Sequence, residues 1–446
     1  MPAPVAQVLT PGERAAARTG GAPARGSLYV VVWILVLVLT QRFAIPLGGG
    51  GQQLPAAIPA ALAVVMYGLA RGHVVVCRRR AALLGVALVT LSLLTVVALI
   101  RGAEPSLLSF LLFVTIYPVA LVDLLDARAA RRGLDFFVDL MLVAAGVGLV
   151  LYGLQYAGLA YSDHLAQVVP PELLLTGFNT ADPIEFGSEL YRSNGVVFLE
   201  PSFFSLFLGL AAVISLVNRR RVVLLPLLLG GIAVTTAGNG LVVVLVSVAW
   251  LAVVGPRRRL LALVPSAAVA VAAASLTPLG ALFVQRSGEI GADNSSASLR
   301  LVQPYVELFP AYVASPVTAL LGQGAGSAQR LVEQQVGSLA VIVPAVPKLF
   351  VEYGWVGAVP VLVFLLHLVL ARVRQASWAP ALLVVYLVVN ASLLQPTLAF
   401  VVITFCATLV RPAVTRRPTD DASATAGPVA AGEPHHDPDV PAGHRD

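Results

Sequence analysis

The apolar passage YRSNGVVFLEPSFFSLFLGL at 191–210 opens with Tyr191 and Arg192 and carries Glu200 a short way in. A guanidinium and a carboxylate are expensive to place against hydrocarbon, so their presence there asks for a purpose. Arginine binds phosphate oxygens two at a time and does not deprotonate. A carboxylate can take the proton of an attacking hydroxyl. The same two residues can also form an ion pair that only ties a loop to a helix.

The elements that must position them follow from composition. Of the 446 residues 58% are hydrophobic and 12% charged, with a mean hydropathy of +0.87. Soluble domains are about 25% charged. Runs long enough to cross roughly 30 Å of hydrocarbon, about 17 to 25 residues each, recur between residues 28 and 411. They lack the two-residue alternation of barrel strands, so an all-α polytopic membrane bundle is expected. We place twelve spans, at about 28–47, 54–70, 81–100, 106–125, 136–160, 197–217, 222–237, 240–255, 260–284, 349–371, 377–394 and 397–411. The seventh and eighth close around TTAGNG as a tight hairpin or a partly re-entrant pair. This divides the chain into an N-terminal tail (1–27), a membrane domain (28–411) and a disordered C-terminal tail (412–446) rich in Ala, Pro, Asp and Gly.

With the N-terminus inside, 22 of the 29 basic residues fall on the cytoplasmic side, the bias that sets topology. Both tails are then cytoplasmic. Anionic lipid at that face accounts for the net charge of +6, so nucleic acid is not an expected partner. The other seven are Arg42, Arg101, Arg192, Arg286, Arg300, Arg330 and Lys348, the chain's single lysine. Arg42, Arg101 and Arg330 are expected to be headgroup-level anchors. The two long outer loops, 161–196 and 286–348, hold the rest, and loops of that length in a compact protein usually carry function. In the second, Ser295, Ser296 or Ser298 would cap an amphipathic helix with Arg300 in its first turn.

Other chemistry is sparse. Cys77 and Cys406 cannot staple an outer domain, and no CxxC, HExxH or phosphate-cradling Gly-Lys-Ser/Thr pattern occurs. No metal and no cofactor is expected, and ATP is not the energy source. His435 and His436 are read as solvated.

From about residue 80 to 410 the chain resembles the O-antigen polymerase (Wzy-type) and O-antigen ligase superfamily. The resemblance rests, in order, on YRSNGVVFLEPSFFSLFL, TTAGNG, SSASLR, SPVTALLGQGAG and KLFVEYGWVGAVPVLVFLL. It implies a GT-C-like bundle and a metal-independent glycosyltransferase working at the outer face of the bacterial inner membrane on undecaprenyl-diphosphate-linked oligosaccharide. A flippase, a chain-length regulator and membrane lipids are the partners implied. Ligases of the superfamily usually carry a histidine before the final Glu-x-Gly, and residues 286–352 contain none. They tend to have His-Pro-Asn where this chain has Glu200-Pro201-Ser202. An O-antigen, exopolysaccharide or capsule polymerase is therefore preferred over a ligase. A lipid-linked sugar transporter or flippase is the reading from another class, and it requires cations distributed through a cavity across the bilayer rather than gathered at one face.

Breaking the bond from a sugar to a lipid diphosphate leaves negative charge on the departing diphosphate, which fixed cations can hold. Arg192 and Arg300 are expected in that role, with Arg286 in reserve, and Glu200 is expected to take the acceptor's proton. Tyr191, Arg286, Lys348 and Glu352 complete the expected substrate-binding set. Glu352 stands in the first turn of its span, where a carboxylate also balances the helix dipole. His164 is a weaker candidate base, and Pro201 is expected to kink its span.

Overall fold

The computed structural model describes residues 22–48, 53–184, 188–219, 221–254, 303–336, 343–373, 376–389 and 393–409. The expected ninth span at 260–284, Arg286, Arg300 and the three candidate capping serines lie outside them, as do the C-terminal tail and most of the N-terminal one.

The described residues are mostly helical. In order they form α1 (Ala22–Leu39), α2 (Ala57–Ala70), α3 (Arg78–Ile100), α4 (Leu107–Ile116, continued as a 3-10 turn over Tyr117–Leu121), α5 (Ala127–Tyr156) and the short α6 (His164–Val168). Then follow α7 (Pro201–Asn218), α8 (Leu225–Thr235), α9 (Gly238–Val254), α10 (Gln303–Val313), α11 (Pro316–Leu321), α12 (Ser327–Val336), α13 (Ala345–Leu370), α14 (Ala379–Val384) and α15 (Pro396–Ile403). Apolar helices overlap eleven of the twelve expected spans. Four of them, α3, α5, α7 and α13, are long and apolar enough to cross a membrane by length and composition.

The fold is not purely helical. Ala44–Pro46 (β1) pairs antiparallel with Gln53–Pro55 (β2), and Val74–Val76 (β3) with Val122–Leu124 (β4). The β-branched run at Val74–Val76 suits an extended pairing and resists a helix, and its partner Val122–Leu124, the last part of the expected fourth span, is extended here and not helical.

The centre of the bundle is α7, with 83% of its span buried, against 33% for α3. Gly209 on α7 and Gly240 on α9 allow that core to close. A Cβ on Gly240 would overlap the backbone of Ser205, and one on Gly209 the backbone of Gly240. Ser205 secures the crossing, its Oγ donating to the Ala237 carbonyl at 2.9 Å and accepting from the Gly240 amide at 3.0 Å. The expected hairpin between the seventh and eighth spans is the turn from α8 into α9, with Thr236 in the left-handed region at φ 47°.

Contacts between connecting segments sort into two ends. At one, the Leu175 amide bonds the Arg42 carbonyl (2.8 Å) and Arg101 bonds Gly322. At the other, the Cys77 amide bonds Leu121 (2.7 Å), Arg132 bonds Ser27 and Arg372 bonds Asp123. Each of these contacts joins segments that the arginine bias assigns to the same side.

Candidate active site

The end that holds the expected outer loops is organised around Arg42, three residues beyond a helix that ends at Leu39, about two turns earlier than its expected span. Its guanidinium grips Asp163 with both terminal nitrogens, Nη1 to Oδ1 at 2.8 Å and Nη2 to Oδ2, and Nη1 also donates to the Val196 carbonyl at 2.9 Å. The Arg42 side chain is 4% exposed, so it is not the headgroup anchor expected of it. It fastens the end of α1, the start of α6 and the turn before α7. That turn needs fastening, since Val196 is a β-branched residue held at φ 69°. Burial would raise the Asp163 carboxyl. The Arg42 hydrogen bond, others from Thr180 and the Ala166 amide, and the Arg42 charge outweigh it and hold the group below the ordinary carboxylate range.

Beside this clasp lies a cavity of about 270 Å³. Leu151, Leu154 and Leu159 give it one apolar wall, and Tyr161, Asp163, His164 and Asn194 give it a polar one. The Tyr161 ring stacks on Tyr191 (centroids 5.0 Å, planes 18° apart), and its hydroxyl donates to the Thr180 carbonyl at 2.6 Å. Burial, with the nearby Asp163 charge, pushes that hydroxyl up to about 12, so Tyr161 is a neutral donor at working pH. Asn194 donates to the same carbonyl at 3.0 Å. His164 is exposed, with Nδ1 3.2 Å from Ser162 Oγ. Such an amphipathic pocket can lay a sugar on its polar side while an isoprenoid follows the leucines.

Tyr191, Arg192 and Glu200 belong to the segment that runs through Asn194 and Val196 of the cavity wall into α7, and none of the three lines the cavity itself. The Tyr191 backbone is clipped to Gln155 by two hydrogen bonds, 2.7 and 3.1 Å. Arg192 pairs with Asp182 (Nη1–Oδ2, 2.6 Å) and donates to the Ile184 carbonyl at 3.3 Å, while its Nε is buried without a hydrogen-bond partner. Its carboxylate partner is therefore Asp182, and the Arg192–Glu200 ion pair open from the sequence does not form.

Glu200 is half-buried. Its Oε2 accepts from Ser202 Oγ at 3.1 Å and Oε1 from the Asn179 amide at 3.3 Å. It stands just outside α7, in extended backbone (φ −149°, ψ 164°), rather than within the span. Pro201 is the first helical residue, where its missing amide hydrogen costs nothing, so it starts the helix and does not kink it.

Lys348 and Glu352 form a second cluster, distant in sequence. They are an (i, i+4) ion pair on α13, both nearly fully buried. Because α13 starts at Ala345, Glu352 falls past the second turn and does not sit in the first turn as expected. Two residues later Gly354 breaks the helix at φ 58°, ψ −167°. The break leaves the Val351 and Glu352 carbonyls without helical donors, and the amides of Gln323 and Gly324 take them at 2.9 and 2.8 Å. A Cβ at Gly322 or Gly354 would overlap backbone across this junction. The GQG turn and the EYG segment are thus one locked joint.

Arg101 bonds the Gly322 carbonyl at 3.0 Å and Arg330 bonds that of Glu104, so each ties two connecting segments together. They line a second cavity of about 440 Å³. Among the described residues no three His, Cys, Asp or Glu side chains converge as a metal site would require.

The model of the WcaD colanic acid polymerase family matches residues 29–412, most of the chain. The chain belongs to that family. Membership in the WcaD family makes it a polysaccharide polymerase, a glycosyltransferase-type enzyme, and implies a lipid-linked oligosaccharide as substrate. Its apolar helices agree with a membrane protein. No curated protein matches the chain. The residues of this WcaD-family chain that sequence reasoning passed over are Arg42, Tyr161, Asp163 and Asn194. The available signal was Arg42 itself, a cation on the side otherwise poor in them. Nothing in one dimension couples it to Asp163, 121 positions away.

Proposed function

We propose that the chain lengthens an acidic exopolysaccharide of the colanic type at the outer face of the bacterial inner membrane. It does so by moving glycan from an undecaprenyl-diphosphate donor onto a sugar hydroxyl of a second lipid-linked chain. The twelve-span topology with both termini in the cytoplasm is part of this reading, supported by the sorting of loop contacts into two ends. The observation that carries it is the cavity beside Tyr161, apolar on one wall and polar on the other, at the end where Arg192 and Glu200 lie.

The arginines there are not equivalent. Arg42 and Asp163 are 4% and 15% exposed and their pair supports a strained turn, whereas Arg192 and Asp182 are 19% and 29% exposed. Exchanging a carboxylate for a diphosphate costs less where water already reaches the pair. Arg192 is therefore the cation that turns from Asp182 to the leaving diphosphate, with Arg300 as its expected companion and Arg286 in reserve. Charge developing on the leaving group is met by fixed guanidinium groups, with no metal in the step.

Glu200, held by Ser202 and the Asn179 amide, takes the proton of the acceptor hydroxyl as the new glycosidic bond forms. Tyr191 and Tyr161 provide a stacked aromatic platform for the sugar. Lys348 and Glu352, already neutralised by each other, support the locked joint. Purified protein reconstituted with an undecaprenyl-diphosphate oligosaccharide tests the reading. A ladder of products one repeat apart supports it, and unchanged substrate in the presence of folded protein refutes it.

A further inference from the structure

At the end of the bundle away from the candidate active site, two arginines share one carboxylate. Arg80 Nη2 pairs with Asp123 Oδ1 and also donates to the Val122 carbonyl at 3.3 Å. Arg372 Nη2 lies 3.0 Å from Asp123 Oδ2, and its Nη1 donates to the Ala407 carbonyl at 3.0 Å. The cluster therefore carries net positive charge. It borders a cavity of about 230 Å³ that Cys77 and His367 also line. Arg80 is only 4% exposed, and its Nη1 is buried with no oxygen acceptor.

The backbone adds to this. Cys77 is the N-cap of α3; its thiol meets the Arg80 amide, and the amides of Arg78 and Arg79 in the first turn of this 23-residue helix have no capping side chain. The thiol reports the same field. Burial would raise it, but the hydrogen bonds from the Arg80 guanidinium and amide, with the guanidinium charge, outweigh burial and lower it. The C-terminal end of α13, at Ala371, points the negative end of its dipole at the cavity. Two guanidinium groups against one carboxylate exceed that opposing half-charge.

We propose that this pocket seats the phosphate of an anionic phospholipid headgroup. The recognised chemistry is a phosphate carrying net negative charge, and the lipid source follows from the surroundings. His367 and Ala371 of α13 line the pocket, and beside them on the same helix Val363, Leu366 and Leu370 are 46%, 38% and 45% exposed, a stripe along which acyl chains can lie. Basic pockets between helix ends are suited to such headgroups.

The test uses the purified full-length chain in detergent, with thermal unfolding followed while phosphatidylglycerol, phosphatidylcholine or inorganic phosphate is titrated. Phosphatidylglycerol should raise the midpoint saturably and phosphatidylcholine should not. Arg372→Gln should need roughly tenfold more phosphatidylglycerol for the same rise, the effect of losing one charge-assisted contact. Ala371→Glu, which leaves both arginines in place, should weaken the response similarly by repulsion. Equal responses to the two lipids, or wild-type responses from both variants, would overturn the proposal. So would a full effect from inorganic phosphate alone with none from phosphatidylglycerol, since the pocket would then take the free ion.

Discussion

Arg192 donates to Asp182 at 2.6 Å, and Glu200, eight residues on in sequence, faces Ser202 and Asn179. The cation and the carboxylate that the sequence leaves open as an ion pair are thus engaged by different partners. Asp182 occupies the guanidinium fork without consuming Glu200, and each remains available for a separate task. If Asp182 stands where diphosphate will sit, Asp182→Asn should leave elongation intact and lower the apparent KM for the lipid-linked donor. A variant with KM unchanged and protein level reduced would make Asp182 a strut only.

Arg192→Ala should abolish elongation while leaving protein level near normal, because the diphosphate then lacks its charge partner. Arg192→Lys should recover only part of the rate, since a point charge replaces a bidentate fork. Product ladders from membranes with matched protein content read both. A full ladder from Arg192→Ala removes the residue from the site.

Arg42 should behave differently. Its removal strands Asp163 and frees the strained turn at Val196, so Arg42→Ala should lose about 3–5 kcal/mol of stability, the usual consequence of breaking a buried pair on one side. Detergent-solubilised protein should melt early or fail to accumulate. An Arg42→Ala protein that melts like wild type and is merely inactive would shift the phosphate-binding role to Arg42.

The same pair predicts a pH dependence. The Asp163 carboxyl lies below its ordinary value in the folded protein. Its contribution to stability is therefore complete above the unfolded carboxylate range and fades as pH falls through the lowered folded value. Between those limits wild type should lose stability with acidification, whereas Asp163→Asn, less stable at neutral pH, should not show that component. Melting curves from pH 7 down to about 3 make the comparison. Parallel curves would show that Asp163 does not carry the acid sensitivity.

Gly322→Ala and Gly354→Ala both introduce a Cβ into backbone at positive φ, at 74° and 58°. Each should destabilise by at least about 1–3 kcal/mol. Neither residue touches the cavity beside Tyr161, so the activity of whatever protein survives should fall no more than its folded fraction. An intact melt in both would mean that the joint between α11 and α13 tolerates rearrangement.

Much of this architecture is legible in one dimension because it depends on local composition. Helix positions follow from runs of Leu, Val and Ala, and the sorting of loops follows from where arginines fall. Boundaries shift where one residue decides them. Pro201 sets the start of α7 and thereby puts Glu200 outside it, and Pro344 precedes an α13 that begins four residues earlier than hydropathy suggests. The short ribbons escaped notice because strands of three residues carry too little pattern. In the candidate site, the positions of Tyr191, Arg192 and Glu200 near one another in sequence made them visible. Their partners were not, since Asp182 reaches Arg192 through a turn and Arg42 reaches Asp163 across the bundle. Two isolated charges read separately look like headgroup anchors and solvated loop residues.

Turnover of Glu200→Gln in the reconstituted ladder assay, beside wild type at matched folded protein, tests the central claim most directly. The amide keeps the size of the side chain and its contacts to Ser202 and Asn179 but cannot accept a proton. The account predicts a well-folded variant with donor binding intact and elongation slowed by roughly 10²–10⁴, the usual worth of a positioned base. A Glu200→Gln protein that extends chains at near the wild-type rate would contradict it.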